Sequence, residues 1–130
     1  MTKRQNFSSG GAREPVIGYS RSVRVGPQVF VSGCTAYGPD GQIVGKGDLY
    51  AQTKQVIANV ENGLRLAGAE LRHVVRTRIY VTDMERWEEA ARAHGEAFGE
   101  IRPACTFLGV TRLVTPEMLV EIDADAVIDD

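Results

Sequence analysis

Three acidic residues alternate along the last apolar segment of the chain. Glu121, Asp123 and Asp125 are separated by Ile122 and Ala124. Successive side chains of a β-strand point to opposite faces, so this spacing places the three carboxylates on one face and the apolar residues on the other. Carboxylates can act as general acids and bases, or they can pair with cationic side chains. Glu121 is the candidate for chemistry, with an ion pair in the same acidic ladder as the open alternative, and Asp123 and Asp125 are the candidates for ion pairs.

A second segment carries the complementary charge. Within residues 74–81, Arg76 and Arg78 share one face, and apolar residues including Ile79 occupy the other. If the two segments are neighbouring strands, arginine meets aspartate across the sheet. One face would then be covered by helices and the other would be charged, and we expect other copies of the chain to enclose the charged face. Enclosure near apolar walls would raise the pKa of Glu121 toward the range of a general acid or base.

The sulfur and imidazole groups do not form a recognisable reactive cluster. Cys34 and Cys105 have neither CxxC spacing nor paired histidines nearby, which predicts free thiols in a reducing compartment and no metal site or cofactor. His73 precedes a predicted strand, and His94 lies on the apolar stripe of a predicted helix. A satisfied buried imidazole is therefore favoured for His94, although a nucleophilic role for Cys105 stays open.

Length and composition limit the classes of protein to consider. The chain has 130 residues, 43% of them hydrophobic and 25% charged, which predicts one globular domain. A net charge of −2 gives no basic footprint for nucleic acid, and no segment resembles a membrane span or a signal peptide. We therefore expect a cytoplasmic protein. Residues 1–14 are polar and contain Gly and Ser, which predicts a mobile N-terminal arm before a single domain over residues 15–130.

The predicted elements follow the order ββ(β)αβαββ, an α+β sandwich with two helices on one face of a mixed sheet. Asp48 is a predicted N-cap, and Gly68 ends that helix. Thr82 and Glu85 have the spacing of a capping box for the second helix. The predicted strands and helices span residues 19–25, 28–34, 42–44 (brief), 48–67, 74–81, 82–102, 104–110 and 119–128.

Several short motifs in this order resemble the RidA/YjgF reactive-intermediate deaminase family, also labelled L-PSP endoribonuclease-like. The motifs are Ile17-Gly18-Tyr19-Ser20, Val31-Ser32-Gly33, Val74-Val75-Arg76-Thr77, Val81-Thr82-Asp83, Arg102-Pro103-Ala104 and Val120-Glu121-Ile122. The resemblance runs from about Ile17 to Val127. It implies a chorismate-mutase-like fold, a homotrimer packed about a three-fold axis, and small-molecule pockets at the subunit interfaces.

The resemblance also implies which residues line that pocket. In the deaminases, an arginine directly after Pro-Ala binds the carboxylate of a 2-imino acid, and a glutamate on the last strand manages the attacking water. Here Glu121 matches the glutamate, and Tyr19 and Ser32 match pocket positions. From their place on the strands, the Thr106 and Ser32 hydroxyls and the backbone near Gly33 are candidate hydrogen-bond partners of a ligand, and a bulge is the alternative reason for Gly33. Cys105 stands in place of the arginine, and a thiol cannot replace a planar guanidinium fork.

Arg92 is the candidate substitute for that charge, because it aligns with a polar pocket position of the family. Glu88, four residues earlier, offers the alternative of an ion pair on the helix surface, and this alternative is favoured.

The sequence thus predicts a RidA-like homotrimer that binds a small imine, enamine or carbonyl metabolite, with water-mediated deamination through Glu121. Ordinary 2-iminopropanoate deamination should be weak or absent without the arginine. A non-catalytic metabolite-binding trimer is the alternative from another functional class. Endoribonuclease activity is less favoured, because the composition is acidic and no base-stacking platform is evident.

Overall fold

The computed structural model describes residues 3–129, which form one mixed sheet with helices. Short 3-10 turns span Leu71–His73 and Met84–Arg86. In chain order the strands and helices are β1 Arg4–Phe7, α1 Arg13–Ile17, β2 Ser22–Val25, β3 Gln28–Cys34, α2 Leu49–Leu66, β4 Val74–Val81, α3 Trp87–Phe98, β5 Ala104–Gly109 and β6 Val120–Val127.

The sheet has six strands in the order β1-β2-β3-β6-β4-β5. Only β4 and β5 are parallel, joined by the crossover through α3, and the other neighbouring pairs are antiparallel. Helix α2 packs on β3 and β6, and α3 packs beside α2. The predicted α+β architecture, with two helices on one face of a mixed sheet, is confirmed.

The two charged segments are adjacent central strands, as predicted. In the antiparallel ladder of β4 and β6, Arg78 lies opposite Asp123, and Arg76 lies opposite Asp125. The Arg78 guanidinium is 2.9 Å from Asp123 Oδ1 and 3.5 Å from Asp125 Oδ2. On the other side of β6, Val120, Ile122 and Ala124 are fully buried under the helices. Strand alternation therefore separates a hydrophobic core from a charged face.

Helix α2 has the ends that its sequence predicts. The Asp48 side chain accepts a hydrogen bond from the Ala51 amide at 3.0 Å, and Gly68 follows the helix with φ of +83°. Val56, Val60 and Leu64 form its buried stripe. None of the helices among residues 3–129 combines the length and the hydropathy needed to cross a membrane.

The start of the second helical region differs from its prediction. Asp83, and not Thr82, provides the cap, because its carboxylate accepts from the Glu85 amide at 3.1 Å. Thr82 directly follows β4, and its amide donates a hydrogen bond to the Leu119 carbonyl at 3.1 Å. The capping box predicted at Thr82 is therefore wrong.

The sheet extends into the segment assigned to an arm. Strand β1 pairs with β2, placing Arg4 opposite Val25 and Phe7 opposite Ser22, and only Phe7 of its residues packs on the core. An exposed edge strand has no apolar alternation for sequence analysis to detect. Residues 1 and 2 of the predicted arm lie outside the described range, and the domain division at residue 14 stays a prediction. The brief strand predicted at 42–44 is reduced to one bridge between Tyr37 and Ile43.

One face of the sheet has no layer over it within the described chain. We call it the open face; it carries Phe30, Tyr80, Glu121, Asp123 and Asp125 on β3, β4 and β6. Phe30 is 43% exposed there, and Val127 at the end of β6 is 36% exposed. Apolar side chains left exposed between charged ones are typical of surfaces that meet another protein.

Gln52 gives a test of how the helix layer fixes β6. This side chain is fully buried; its Nε2 donates to the carbonyls of Gly45 and Glu117, and its Oε1 accepts from the Leu119 amide at 2.9 Å. Gln52→Leu would leave these groups unpaired, so we expect unfolding free energy to fall by about 3 kcal/mol. Urea denaturation at fixed protein concentration measures this free energy of unfolding. The exposed neighbour substitution Lys54→Leu is the control, and equal small losses in both variants would contradict the prediction.

Candidate functional site

Glu121 lies half-buried on the open face, beside the irregular end of β3. Its ladder partner on β4 is Tyr80, and on the other side the register of β3 with β6 shifts between Val31 and Cys34. Gly33 lies in that shift, and a Cβ built on it would stand 2.2 Å from Glu121 Oε2. The carboxylate therefore lies directly against the Gly33 main chain, where only glycine leaves room for it.

The Glu121 carboxylate is half-buried and has an unusual electrostatic environment. Burial raises its pKa above 4.5, and the neighbouring charge of Asp123 raises it further. The positive charge of Arg21 opposes both effects. No group of residues 3–129 donates a hydrogen bond to this carboxylate. A carboxyl with a raised pKa and free lone pairs is suited to exchange protons with a bound molecule.

The other two carboxylates of β6 are already engaged. Asp123 accepts from both Arg78 and the Tyr80 hydroxyl, each at 2.9 Å, and Asp125 is the second anion beside Arg78. Hydrogen bonding to Asp123 also contributes, after burial, to a raised pKa of Tyr80. The prediction that Asp123 and Asp125 are partners of arginine is confirmed. Glu121 is left as the carboxylate available to a ligand.

Arg21, which sequence analysis missed, connects Ser32, Gly33 and Tyr19 at the irregular end of β3 beside Glu121. Arg21 Nη1 donates to the carbonyls of Ser32 at 3.2 Å and Gly33 at 3.0 Å, and Nη2 donates to the Tyr19 hydroxyl at 3.2 Å. The Ser32 hydroxyl donates to the Ser20 carbonyl at 2.7 Å. Arg21 precedes β2 and binds main-chain oxygens of a distorted strand, so spacing in the sequence gives no signal for it.

A surface cavity of about 540 Å³ adjoins Tyr19. Glu14 lines it and is 5% exposed; its Oε2 accepts from the Ser9 amide, the Ser9 hydroxyl at 2.8 Å and the Gly11 amide. Burial favours the neutral acid, but these hydrogen bonds and one from Ser8 outweigh it and lower the Glu14 pKa. Glu14 is therefore an ionised residue that ties residues 8–11 to α1.

Cys105 and Thr106 lie on β5, apart from Glu121. Cys105 is the register partner of Thr77, two strands and three residues from Glu121, which corresponds to roughly 14 Å. Thr106 lies opposite Arg78, and both β5 residues are exposed. Within one subunit the structure does not bring either residue to the glutamate. Their assignment to a shared pocket stays a prediction that requires a second subunit.

Arg92 is also remote from Glu121, because it belongs to the helix layer. Its guanidinium lies 4.2 Å from the centre of the Tyr50 ring, in a cation–π contact between α3 and α2. No ion pair with Glu88 forms, so the helix-surface pair favoured from the sequence is wrong. Within the described subunit Arg92 faces the side of the sheet opposite Glu121, and its predicted pocket role has no support from this geometry.

Cys34 and His94 do not form an activated nucleophile. Burial raises the pKa of Cys34 to about 11, although Arg21 Nη1 lies 3.2 Å from its sulfur and opposes the shift. His94 Nε2 lies 2.9 Å from the Thr77 hydroxyl, and burial lowers its pKa. His94 is thus a satisfied, partly buried imidazole, as expected, and Cys34 is a neutral thiol.

The comparisons with known proteins agree on one group. Residues 11–128 match the family model described as Endoribonuclease L-PSP. A RutC family protein of Pyrococcus abyssi is 38% identical over 116 residues, 88% of this chain and 90% of that protein. The crystal structure of a YjgF/YER057c/UK114 family member from Mycobacterium tuberculosis is 47% identical, with a TM-score of 0.87 over 97% of this chain and 100% of that one. The YjgF gene product of E. coli is 25% identical, with a TM-score of 0.82 over 95% and 98% of the two chains.

Gly33→Ala tests the contact that positions Glu121. The backbone of Gly33 lies outside the left-handed region, so alanine is allowed there, but its Cβ must displace the carboxylate by about 1 Å. Because the displaced atom ends a flexible side chain, we expect unfolding free energy to fall by less than about 1 kcal/mol. A crystal structure and urea denaturation measure the two effects. In the control, Gly95→Ala, the new Cβ meets open space on α3, so the Glu121 carboxylate should stay in place. An unmoved carboxylate in Gly33→Ala would refute the proposed contact.

Glu121→Gln tests the raised pKa. Since the folded state binds the proton more tightly than the unfolded state, the stability from this group is present below pH 4.5 and is lost as pH rises through the folded pKa. We therefore expect the glutamine variant to match the parent in acid and to become relatively more stable as pH increases. Thermal unfolding between about pH 4 and pH 8 measures this.

Glu14→Gln is the matched control for that experiment. Its pKa is lowered, so the stability from Glu14 is present above pH 4.5 and is lost as pH falls through the folded pKa. The parent should therefore exceed this variant in stability at neutral pH, and the gap should close in acid. The same pH trend in both variants would contradict the assignment of opposite shifts.

Proposed function

This chain belongs to the YjgF/L-PSP family, and on that premise we propose that it is a cytoplasmic homotrimer whose interfacial pockets bind a small imine, enamine or carbonyl metabolite. Water-mediated deamination through Glu121 is the proposed reaction. The supporting observation is the state of that glutamate: half-buried against Gly33, raised in pKa, and without a hydrogen-bond donor among residues 3–129.

The proposed chemistry is hydrolysis of a carbon–nitrogen double bond. Glu121 takes a proton from water as the water oxygen bonds to the C=N carbon and returns it to nitrogen, which gives a carbinolamine. Glu121 then takes the hydroxyl proton of the carbinolamine and passes it to nitrogen as the carbon–nitrogen bond breaks, so that ammonia leaves and C=O replaces C=N. A carboxyl with a raised pKa holds a proton more tightly than an ordinary carboxyl and can both accept and return it, which is the requirement for this role.

Assembly is part of the proposal because one subunit supplies only part of a pocket. Glu121 and Gly33 lie on the open face, and Cys105 lies on the exposed edge strand roughly 14 Å away. A pocket that contains both needs β5 from one copy and β6 from another. The exposed Phe30, Leu108 and Val127 favour burial of the open face by such a copy.

The charge of the open face argues against RNA as the substrate, despite the family model's description. Glu121, Asp123 and Asp125 line one strand, Arg78 is already paired with the two aspartates, and Arg76, the other arginine of this face, lies opposite Asp125. Phosphodiester binding depends on unpaired cations that release counterions. A face lined by carboxylates, in a chain of net charge −2, repels a polyanion.

Ammonia release from freshly generated 2-imino acids tests the proposed function. We expect the parent to be slow beside arginine-bearing homologues, and Glu121→Gln to lose the remaining activity because Asp123 and Asp125, the neighbouring carboxylates of β6, are paired with Arg78. Cys105→Arg should raise the rate about 10- to 100-fold, because a bidentate charge-assisted contact to the substrate carboxylate is regained. Cys105→Lys is the matched control; it restores charge without the planar fork and should gain less.

Sedimentation of the same samples checks that each variant is a trimer. A monomeric parent, or undiminished release from Glu121→Gln, would overturn the proposal. Parent activity equal to that of arginine-bearing homologues would show that the missing guanidinium is not needed. Thermal stabilisation by a keto or imino acid without turnover would favour the alternative, a trimer that binds metabolites without catalysis.

A further inference from the structure

Arg21 is a half-buried cation without an anionic partner in ion-pair range among residues 3–129. Its Nη1 is directed at three acceptors of consecutive residues: the Ser32 carbonyl at 3.2 Å, the Gly33 carbonyl at 3.0 Å and the Cys34 sulfur at 3.2 Å. Its Nη2 reaches Tyr19, and the guanidinium carbon lies 5.5 Å from the centre of that ring. A planar fork that spans several acceptors is a role for which arginine is better suited than lysine.

The acceptors of Arg21 belong to the irregular end of β3. The register between β3 and β6 shifts between Val31 and Cys34, so the main chain there departs from the regular ladder. Unpaired carbonyls in a partly buried strand are costly, and Arg21 satisfies two of them. The same segment carries Gly33, whose main chain is in contact with the Glu121 carboxylate. Arg21 therefore supports the surface on which Glu121 rests.

The charge of Arg21 also reaches Glu121. The charged and titratable groups around this carboxylate are Asp123 on β6, Tyr80 on β4, Cys34 on β3, and Arg21 before β2. Asp123 is anionic and paired with Arg78, and Tyr80 and Cys34 both have raised pKa values and are neutral at pH 7. Arg21 is the cation in this group that is not paired with a carboxylate.

We propose that Arg21 is a positioning residue for Glu121, holding the Ser32-Gly33-Cys34 bulge in place and supplying the positive charge of a site that has cysteine at position 105. The inference rests on the proposed function in making Glu121 the reactive group. It adds that Arg21 acts on Glu121 through the Gly33 segment and does not bind the substrate carboxylate. Arg21 therefore supplies the positive charge of the family arginine that Cys105 lacks, but not its contact with the substrate.

Titration of the Glu121 carboxyl carbon by NMR tests this inference without a substrate. Glutamate is labelled with ¹³C, and Glu121→Gln identifies the resonance. In Arg21→Gln, which removes the charge, the Glu121 pKa should rise; in Arg21→Lys, which keeps the charge, it should stay close to that of the parent. Arg24→Gln is the matched control, because Arg24 also donates to main-chain carbonyls, of Gly26 and Ala67, from the same strand region.

An unmoved Glu121 pKa in Arg21→Gln, or an equal shift in Arg24→Gln, would overturn the assignment and leave Arg21 a structural residue. If Arg21→Gln does not fold, Arg21→Lys decides the question through amide hydrogen exchange. Lysine cannot span the three acceptors, so the Ser32 amide, which donates to the Arg21 carbonyl at 3.0 Å, should exchange about tenfold faster. Unchanged exchange there would refute the positioning role. Neither readout depends on ammonia release, so this inference and the proposed function can fail separately.

Discussion

The antiparallel register of β4 and β6 is the constraint on which the fold and the site both depend. It places Arg78 opposite Asp123 and, at the same time, places Ile79 opposite Ile122 in the core. A shift of one residue would bring the carboxylates under the helices and the valines and isoleucines to the open face. An ion pair of an exposed guanidinium contributes little stability by itself, because water screens it. Its main effect is on register, because the alternative registers bury charge.

The sequence predicted the regular parts of this structure because their signals are periodic. The bounds of β3 and β4 were predicted correctly, as were the Asp48 cap of α2 and the pairing of Arg78 with Asp123. Strand β1 was missed because an exposed edge strand of polar residues resembles a loop. Thr82 and Asp83 are adjacent residues that both favour caps, so composition could not choose between them.

The candidate site was predictable only where it follows strand alternation or a motif. Alternation identified Glu121, and the motifs identified Ser32, Gly33 and Tyr19. The role of Arg21 could not be predicted, because it binds main-chain carbonyls at a register shift and such a shift produces no periodic pattern of residue types in the sequence. Arg92 was assigned to the pocket by alignment, but the rotation of α3 that lays its guanidinium on Tyr50 is a tertiary property. The position of Cys105 relative to Glu121 could not be predicted from one chain, because it depends on how copies of the chain assemble.

The place of β6 in the sheet has a consequence for biosynthesis. Strand β6, Val120–Val127, lies between β3 and β4 and joins β1-β2-β3 to β4-β5 in the sheet of residues 3–129. During translation both outer halves emerge before the strand that unites them, so each half exposes an unpaired central edge until β6 leaves the ribosome. Premature termination at the start of β6 would therefore yield two unjoined half-sheets with aggregation-prone edges, and not a slightly shortened protein.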